Sequence, residues 1–167
     1  MITIRTEESQ DSELVRQLLR AAFPTDAESR LVDALRLNGK ALVSLVAVDK
    51  NEVLGHVLFS PVSTAPPTEV SGVGLGPVAV RPDCQRGGIG AALIRRGLEL
   101  CRQRAYAYCV VLGDPRYYER FGFAKASSFG MRNEYGVDDE FLLLHFSEVQ
   151  LRPGLVKYAP EFASFSL

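Results

Sequence analysis

The sequence predicts an α/β fold in which a mixed β-sheet is flanked by helices, with elements in the order β-αα-βββ-α-β-α-β. Two observations support this prediction. Apolar residues recur at helical spacing in some segments and form short continuous runs in others. The chain also has 167 residues, the size of one ordinary domain, and shows no internal repeat. We therefore expect a single domain over residues 1–167.

The first half of the chain is predicted to form a strand, two helices and two further strands. Ile2 to Arg5 is the first strand. Ser9 or Asp11 caps a helix that Phe23-Pro24 ends, and its apolar face comprises Leu14, Val15, Leu18, Leu19 and Ala22. A second helix, capped by Thr25 or Asp26 and stopped by Asn38-Gly39, has Leu31, Leu35 and Leu37 as its apolar residues. The strands Ala41 to Val48 and Val53 to Pro61 then form a hairpin.

The second half begins with a loop from Pro61 to Ser71 and a strand from Val73 to Val80. Pro77 is expected at a bulge or where strand pairing opens, since proline has no N–H for the ladder. A long helix is predicted from Gly87 to Arg104, a strand from Tyr106 to Leu112 and a short helix from Pro115 to Phe121. A strand from Phe141 to Phe146 and a possible last strand from Val156 to Tyr158 follow.

Composition and charge exclude several classes of function. The formal net charge of -1 argues against nucleic acid as the main partner. The cysteines (Cys84, Cys101 and Cys109) are odd in number and form no metal-ligand spacing with the two histidines, so we expect no metal and a reducing, cytoplasmic location. The N-terminus lacks a signal-peptide pattern, and no apolar run approaches the roughly 20 residues that span a bilayer, so no membrane partner is expected.

A glycine-rich segment opens the longest predicted helix. Gln85 to Gly90 follows the strand end Val78-Ala79-Val80 and a polar loop. The first turn of a helix leaves about four N–H groups without helical partners, and glycines allow an anion to approach them. A P-loop would need a glycine followed by Lys-Ser or Lys-Thr, and a dinucleotide fingerprint would need G-x-G-x-x-G after a strand. Neither fits, so the segment predicts another kind of phosphate site.

Two motifs identify that site. Gln85, Gly88 and Gly90 satisfy Q/R-x-x-G-x-G/A, and Tyr117 to Phe123 contains Y-x-x-x-G-F with Tyr118 at the tyrosine position. With both motifs in this order, the sequence resembles the GNAT superfamily of N-acetyltransferases. Gly113 to Phe123 is similar to the corresponding segment of a YhbS-like bacterial subgroup, and the resemblance extends from about Ile2 to Phe146.

The resemblance implies a cleft for acetyl-CoA as cosubstrate. It implies that the pantetheine arm pairs with the backbone of Val78 to Val80, that a strand N–H near Val80 stabilises the oxyanion, and that Tyr118 protonates the departing thiolate. Because a thiol has a pKa of about 8.5 and tyrosine one of about 10, full proton transfer is uphill by roughly 2 kcal/mol, so we expect a hydrogen bond from Tyr118 to the thiolate. Asp114 and Tyr117 are expected beside the cofactor, although many family members have asparagine at the position of Asp114. The N–H groups for the pyrophosphate belong to the glycine turn, whose predicted cofactor-binding residues are Gln85, Arg86, Gly87, Gly88, Ile89, Gly90 and Ala91.

The acceptor and the general base stay open at this level. The expected acceptor is a primary amine of a small molecule or protein, and the predicted assembly is a monomer or a homodimer. Glu28, His56 and water are the candidates for removing the amine proton. Two non-enzymatic alternatives are an acyl-CoA-binding sensor and an interaction domain whose glycine turn binds nothing.

Overall fold

The computed structural model of the protein describes residues 1–164. Its helices are α1 (Ser12–Ala22), α2 (Ala27–Leu37), α3 (Ile89–Gln103) and α4 (Pro115–Tyr118). Its strands are β1 (Thr3–Thr6), β2 (Val43–Asp49), β3 (Glu52–Ala65), β4 (Gly72–Val80), β5 (Tyr108–Leu112), β6 (Ala124–Lys125), β7 (Met131–Asn133), β8 (Phe141–His145) and β9 (Gly154–Tyr158). Short 3-10 turns occur at Ser9–Asp11, Pro82–Cys84, Glu119–Phe121, Ala126–Phe129 and Pro160–Ser164.

These elements divide into two compact units. The first combines Met1–Phe59 with Gly76–Leu100, and the second combines Ser60–Leu75 with residues 101–164. Strands β3 and β4 therefore contribute residues to both units. The expectation of one domain over residues 1–167 stays a prediction, and residues 165–167 lie outside the described part of the chain.

The first unit contains β1, β2 and the start of β3 in antiparallel register, with Ile4 opposite Ala47 and Leu45 opposite Val57. Burial is nearly continuous along β2 and the start of β3, whereas Ile4 of β1 is half-buried. Helix α3 packs closely on β3, because a Cβ added at Gly55 would lie 2.9 Å from side-chain carbons of both Ile89 and Leu93. Glycine in the strand thus permits a helix to approach the sheet directly.

The second unit is built on β5, whose residues Tyr108 to Val111 are all buried, as expected of a strand covered on both faces. Strand β5 pairs with β4 in parallel and with β8 in antiparallel, so this sheet is mixed. Among the other strands of this unit, β6 pairs with β8, β9 pairs with the end of β3, and β7 pairs with β9 in parallel. Buried apolar side chains including Tyr108, Phe141 and Val156 form its core.

The structure corrects several predictions. The segment predicted as a loop from Pro61 onward continues β3 to Ala65, because Val62 to Ala65 pair with β9, a long-range contact that local pattern does not reveal. Leu37 is 86 % exposed and Leu14 is 39 % exposed. At 100° per residue Leu37 points nearly opposite to Leu35, and Leu14 lies at the margin of the buried stripe.

Other boundaries differ by one to a few residues. Helix α3 begins at Ile89 rather than Gly87, since Gly87 and Gly88 form the preceding turn, and the predicted short helix ends as a 3-10 turn after Tyr118. Strands β6 and β7 are too short to leave a periodic signal, and they were not predicted. Among residues 1–164, no helix has both the length and the apolar character needed to cross a bilayer.

Candidate functional site

The loop after β4 is held in place by Arg81. The guanidinium Nε donates to Oδ1 of Asp83 at 2.7 Å, and Nη1 donates to Oε2 of Glu52 at 2.8 Å. The backbone N–H of Arg81 also donates to the carbonyl of Leu54 at 2.8 Å. These contacts join the end of β4 to β3, so the turn that follows begins from a defined position.

The glycine turn places exposed backbone at the start of α3. Arg86 has φ +68° and Gly88 has φ +88°, and the latter value favours glycine because a Cβ would be strained there. The carbonyl of Gly88 accepts the first helical hydrogen bond, from the N–H of Ala92 at 3.0 Å. By helix geometry the N–H groups of the three residues between them, 89–91, have no acceptor within the helix. The turn thus presents donors at the positive end of a 15-residue helix.

The side chain of Gln85 has a role within the protein. Its Nε2 donates to the carbonyl oxygen of Val80 at 3.1 Å, so it braces the turn against the end of β4. The first position of the predicted motif therefore shapes the loop. Gln85 and its neighbours Arg86 and Gly87 are exposed on the same turn.

Strand β4 changes its surroundings partway along its length. Its parallel register with β5 covers Gly72 to Gly74 and ends there, whereas the strand itself continues to Val80. Gly76 has φ +140°, a value that L side chains rarely adopt. Beyond it Ala79 is buried, while Val78 and Val80 are half-buried. The pairing of β4 with β5 thus ends before Pro77, which agrees with the prediction that strand pairing opens near this proline.

Asp114 caps the short helix α4. Its Oδ1 accepts a hydrogen bond from the N–H of Arg116 at 3.0 Å, and its backbone carbonyl accepts from Tyr117 and Tyr118, each at 3.1 Å. An aspartate at this position is well suited to a helix start. The carboxylate that was expected beside the cofactor is therefore engaged in fixing the turn that presents the two tyrosines.

The ring of Tyr118 is enclosed by aromatic side chains of its own segment. Its centroid lies 5.1 Å from that of Tyr117 and 5.7 Å from that of Phe123, both edge-to-face, and 6.1 Å from that of Phe121. Burial raises the pKa of Tyr118 to about 12, with smaller contributions from Tyr117 and Cys109. The phenol is thus held in one place and stays protonated at neutral pH.

Gly113 permits this packing. A Cβ at Gly113 would lie 2.4 Å from Cε2 and 3.0 Å from Cδ2 of Tyr118. The tyrosine ring therefore rests directly on the backbone of Gly113. The other face of the segment is fixed by Arg120, whose guanidinium carbon stacks 4.4 Å from the centroid of Tyr117 and whose Nε donates to the Tyr117 carbonyl.

His56, a base candidate, belongs to a buried polar network in the first unit. Its Nε2 lies 2.8 Å from Oγ of Ser44, which donates to Oε1 of Glu7 at 2.5 Å, and Glu7 also receives the guanidinium of Arg36. Because Ser44 donates to Glu7, it accepts from His56, so Nε2 bears the proton in the neutral ring. Nδ1 is then a buried acceptor without a hydrogen-bond partner in residues 1–164.

The titration of this network follows from its contacts. Burial alone would raise the pKa of Glu7, but hydrogen bonds from His56, Ser44 and Arg36 outweigh it and lower the value to about 2. Burial lowers the pKa of His56, although Glu7 opposes the shift. At neutral pH the network therefore contains an ionised glutamate and a neutral histidine.

Glu28, the other base candidate, lies in the first turn of α2. One of its carboxylate oxygens, Oε1, is buried and lacks a hydrogen-bond partner within the described range 1–164. The neighbouring hydroxyl of Ser29 is buried in the same way. Oε1 of Glu28 is therefore shielded from solvent.

Sequence reasoning missed Tyr158, the last residue of β9. Its ring packs on Gly74, where an added Cβ would lie 2.8 Å from Cε1 of the ring. Its hydroxyl is buried and has no hydrogen-bond partner in the described chain. Glycine inside a strand can mark a close approach by another group, and this was the one available signal. Across residues 1–164, His, Cys, Asp and Glu side chains form no group of three or more that could hold a metal ion.

The chain matches known proteins over most of its length. Residues 12–123 match the profile of the Acetyltransferase (GNAT) family. An N-acetyltransferase of Escherichia coli strain K12, YhbS, is 36% identical over 97% of this chain and 99% of its own length. A second E. coli N-acetyltransferase, YjhQ, is 30% identical over 83% of this chain and 78% of its own length.

Solved structures agree with these matches. The crystal structure of E. coli YhbS in complex with CoA superposes with a TM-score of 0.93 at 35% identity, covering 99% of this chain and 94% of that one. A GNAT family acetyltransferase from Brucella melitensis in complex with acetyl-CoA gives a TM-score of 0.84 at 38% identity, covering 97% and 98%. The predicted fold class is thereby confirmed. The chain belongs to the Acetyltransferase (GNAT) family and is an acyltransferase.

Proposed function

We propose that the protein transfers an acetyl group from acetyl-CoA to a primary amine of a small molecule or protein, by direct attack in a ternary complex. The observation that supports this most is Tyr118, a protonated phenol held rigidly in the turn where the resemblance places the group that meets the thiolate. The relatives crystallised with CoA and with acetyl-CoA support the choice of cosubstrate.

The glycine turn fits a pyrophosphate. The space beside Gly88 is open, since an added Cβ there would meet no atom within 4 Å. The N–H groups of Ile89, Gly90 and Ala91 precede Ala92, the first helical donor, so they have no acceptor within the helix. We propose that these donors bind the pyrophosphate and that Arg86 and Gly87 complete the turn. Gln85 acts indirectly, by holding the turn against Val80.

The backbone of β4 is proposed to bind the pantetheine arm. The register with β5 ends at Gly74, and Val78 and Val80 beyond it are half-buried. Strand-like pairing with an amide-bearing chain uses backbone N–H and C=O groups. Ala79, which is buried, would fix the strand from its other face.

In the reaction the amine nitrogen attacks the thioester carbonyl carbon, the C–S bond breaks, and the CoA sulfur leaves as a thiolate that takes up a proton. A thiol has a pKa of about 8.5, against about 12 for Tyr118, so full proton transfer from the phenol would be uphill by about 5 kcal/mol. Burial would also raise the pKa of a thiol beside Tyr118, which reduces this figure. Tyr118 is therefore proposed to donate a hydrogen bond to the developing thiolate.

The amine proton needs an acceptor, and His56, Glu28 and water are the candidates. His56 is neutral with an unpartnered Nδ1, and Glu28 has a buried oxygen without a partner. Water needs no fixed group. Substitution of His56 by Gln and of Glu28 by Gln, followed by pH–rate profiles, would separate the three.

Substitution of Tyr118 by Phe tests the proposal. A panel of primary amines is first screened for acetyl-CoA-dependent CoA release, measured chromatographically. With the best amine, Tyr118→Phe should lower kcat by about 100-fold and change the Kd of acetyl-CoA by less than about threefold, because the hydroxyl acts on the departing thiolate. Tyr106→Phe, in the loop before β5, is the matched control.

Two results would contradict the proposal. An unchanged kcat in Tyr118→Phe would show that the Tyr118 hydroxyl does not contribute to the reaction. Tight acetyl-CoA binding by the wild type without turnover of any amine would indicate a sensor instead of an enzyme. We also propose that the chain forms one domain and acts in the cytoplasm as a monomer or a homodimer. No nucleic acid or membrane partner is part of the proposal.

A further inference from the structure

The hydroxyl of Tyr158 is a buried polar group that the fold itself leaves unsatisfied. The side chain is 8% exposed, and its oxygen has no hydrogen-bond partner among residues 1–164. A buried hydroxyl without a partner costs about 1–3 kcal/mol. Such a group persists most readily where a ligand supplies the missing partner.

Three contacts position Tyr158. Its ring lies against Gly74, the last β4 residue in register with β5, where an added Cβ would be 2.8 Å from Cε1 of the ring. Val62 lies beside the same glycine, 3.2 Å from that Cβ. The backbone N–H of Tyr158 donates to Oε1 of Glu134 at 3.2 Å. The ring also packs at 5.2 Å, centroid to centroid, from Phe162.

The ring of Tyr158 contacts β4 at Gly74, which pairs with Val110 of β5, and β5 leads into Gly113, on which the Tyr118 ring rests. Burial raises the pKa of Tyr158 well above its usual value, and Cys109, Tyr135 and Tyr118 raise it further. Both tyrosines are therefore protonated hydrogen-bond donors at neutral pH, and both belong to the second compact unit. Under the proposed function Tyr118 meets the thioester sulfur.

A thioester presents one further strong acceptor next to its sulfur, the carbonyl oxygen. We propose that the Tyr158 hydroxyl donates a hydrogen bond to the acyl carbonyl oxygen of acetyl-CoA, and so acts as a second catalytic tyrosine beside Tyr118. When the amine attacks the carbonyl carbon, the C=O π electrons move onto this oxygen, which becomes an oxyanion. The hydrogen bond strengthens at that point, and the electrons return as the C–S bond breaks. This inference rests on the proposed function.

The test compares acetyl-CoA with CoA, because CoA has the same nucleotide, pantetheine and sulfur but no acyl carbonyl. Titration calorimetry gives both Kd values for wild type and for Tyr158→Phe, which removes only the hydroxyl and keeps the ring on Gly74. We expect the Kd of acetyl-CoA to rise about 3- to 10-fold, the Kd of CoA to stay within twofold, and kcat with the best amine to fall about 100-fold.

Two further variants make the result specific. Tyr135→Phe removes a hydroxyl from a neighbouring ring, 6.2 Å from Tyr158 between centroids, and should leave both Kd values unchanged. Gly74→Ala pushes the Tyr158 ring aside and should reproduce the selective loss for acetyl-CoA, with no further loss when combined with Tyr158→Phe. The melting temperature of Tyr158→Phe should equal or exceed that of wild type, since the substitution removes an unsatisfied buried group.

Equal weakening of CoA and acetyl-CoA, unchanged binding of both, or a lowered melting temperature in Tyr158→Phe would each overturn the inference. The binding comparison requires no turnover. If wild type binds acetyl-CoA and acetylates no amine, the proposed function fails, and the ratio of Kd values still decides the contact of Tyr158. Failure of wild type to bind either molecule would overturn both.

Discussion

Gly113→Ala is the substitution that most directly tests how the fold positions Tyr118. The added Cβ would lie 2.4 Å from Cε2 of the tyrosine ring, whereas ordinary contacts of a Cβ begin near 3.4 Å. The ring must therefore retreat by about 1 Å. It cannot slide freely, because Tyr117, Phe121 and Phe123 surround it.

The displacement predicts a loss of both catalytic rate and stability. A misplacement of about 1 Å can reduce a rate about 100-fold, and overpacking of this kind destabilises a protein by about 1–3 kcal/mol. We expect kcat for acetyl transfer to fall about 100-fold, while the Kd of acetyl-CoA changes less than about threefold. Steady-state kinetics with the best amine, calorimetry and urea unfolding measure the three quantities.

Gly113→Ala in the Tyr118→Phe background tests whether the substitution acts through the Tyr118 hydroxyl. If Gly113 acts only by positioning the phenol, Gly113→Ala should lower kcat less than about threefold once the hydroxyl is absent. An equal loss in both backgrounds would refute this reasoning, and so would a Gly113→Ala enzyme with wild-type kcat. Either result would mean that the contact between Gly113 and Tyr118 does not determine the position of the phenol.

Two predictions concern the first compact unit. Gly97→Ala places a Cβ 2.1 Å from Cε1 of the buried Phe59, which should cost about 1–3 kcal/mol by overpacking, partly offset by a helical gain of about 1 kcal/mol. The unfolding free energy should therefore fall by up to about 2 kcal/mol, and a raised melting temperature would contradict this. The pKa of Glu7 falls from 4.5 to about 2 on folding, so its carboxylate stabilises the protein above pH 4.5, and about 2 kcal/mol is lost by pH 3. Urea unfolding measured from pH 7 to pH 3 should show that the unfolding free energy falls less in Glu7→Gln than in the wild type. Equal decreases in the two proteins would show that ionised Glu7 does not contribute to stability.

Much of the candidate site was predictable from local sequence. The turn at Gly88 depends on a backbone conformation that glycine favours and on the start of a helix, and both are set by neighbouring residues. The capping of α4 by Asp114 is likewise local. For the same reason the helical and central strand segments were found close to their true boundaries.

Other features depend on partners that are distant in the chain. The continuation of β3 to Ala65 requires β9, which is about ninety residues away, and no local pattern announces such pairing. The glycine turn and Tyr118 were each identified from the sequence. The contacts that hold them in place were visible only in the structure: Gln85 donates a hydrogen bond to the Val80 carbonyl, and the Tyr118 ring rests on Gly113.

The sequence by itself determined the family, the α/β class and the two motifs, because these reside in residue types at short fixed spacings. Only the tertiary structure showed that His56 shares a hydrogen-bond network with Ser44 and Glu7, and that the Tyr158 hydroxyl is buried without a partner. The physical reason is that burial and hydrogen bonding are properties of the packed state. They depend on which distant residues meet, and a sequence pattern of period 2 or 3.6 contains no information on that.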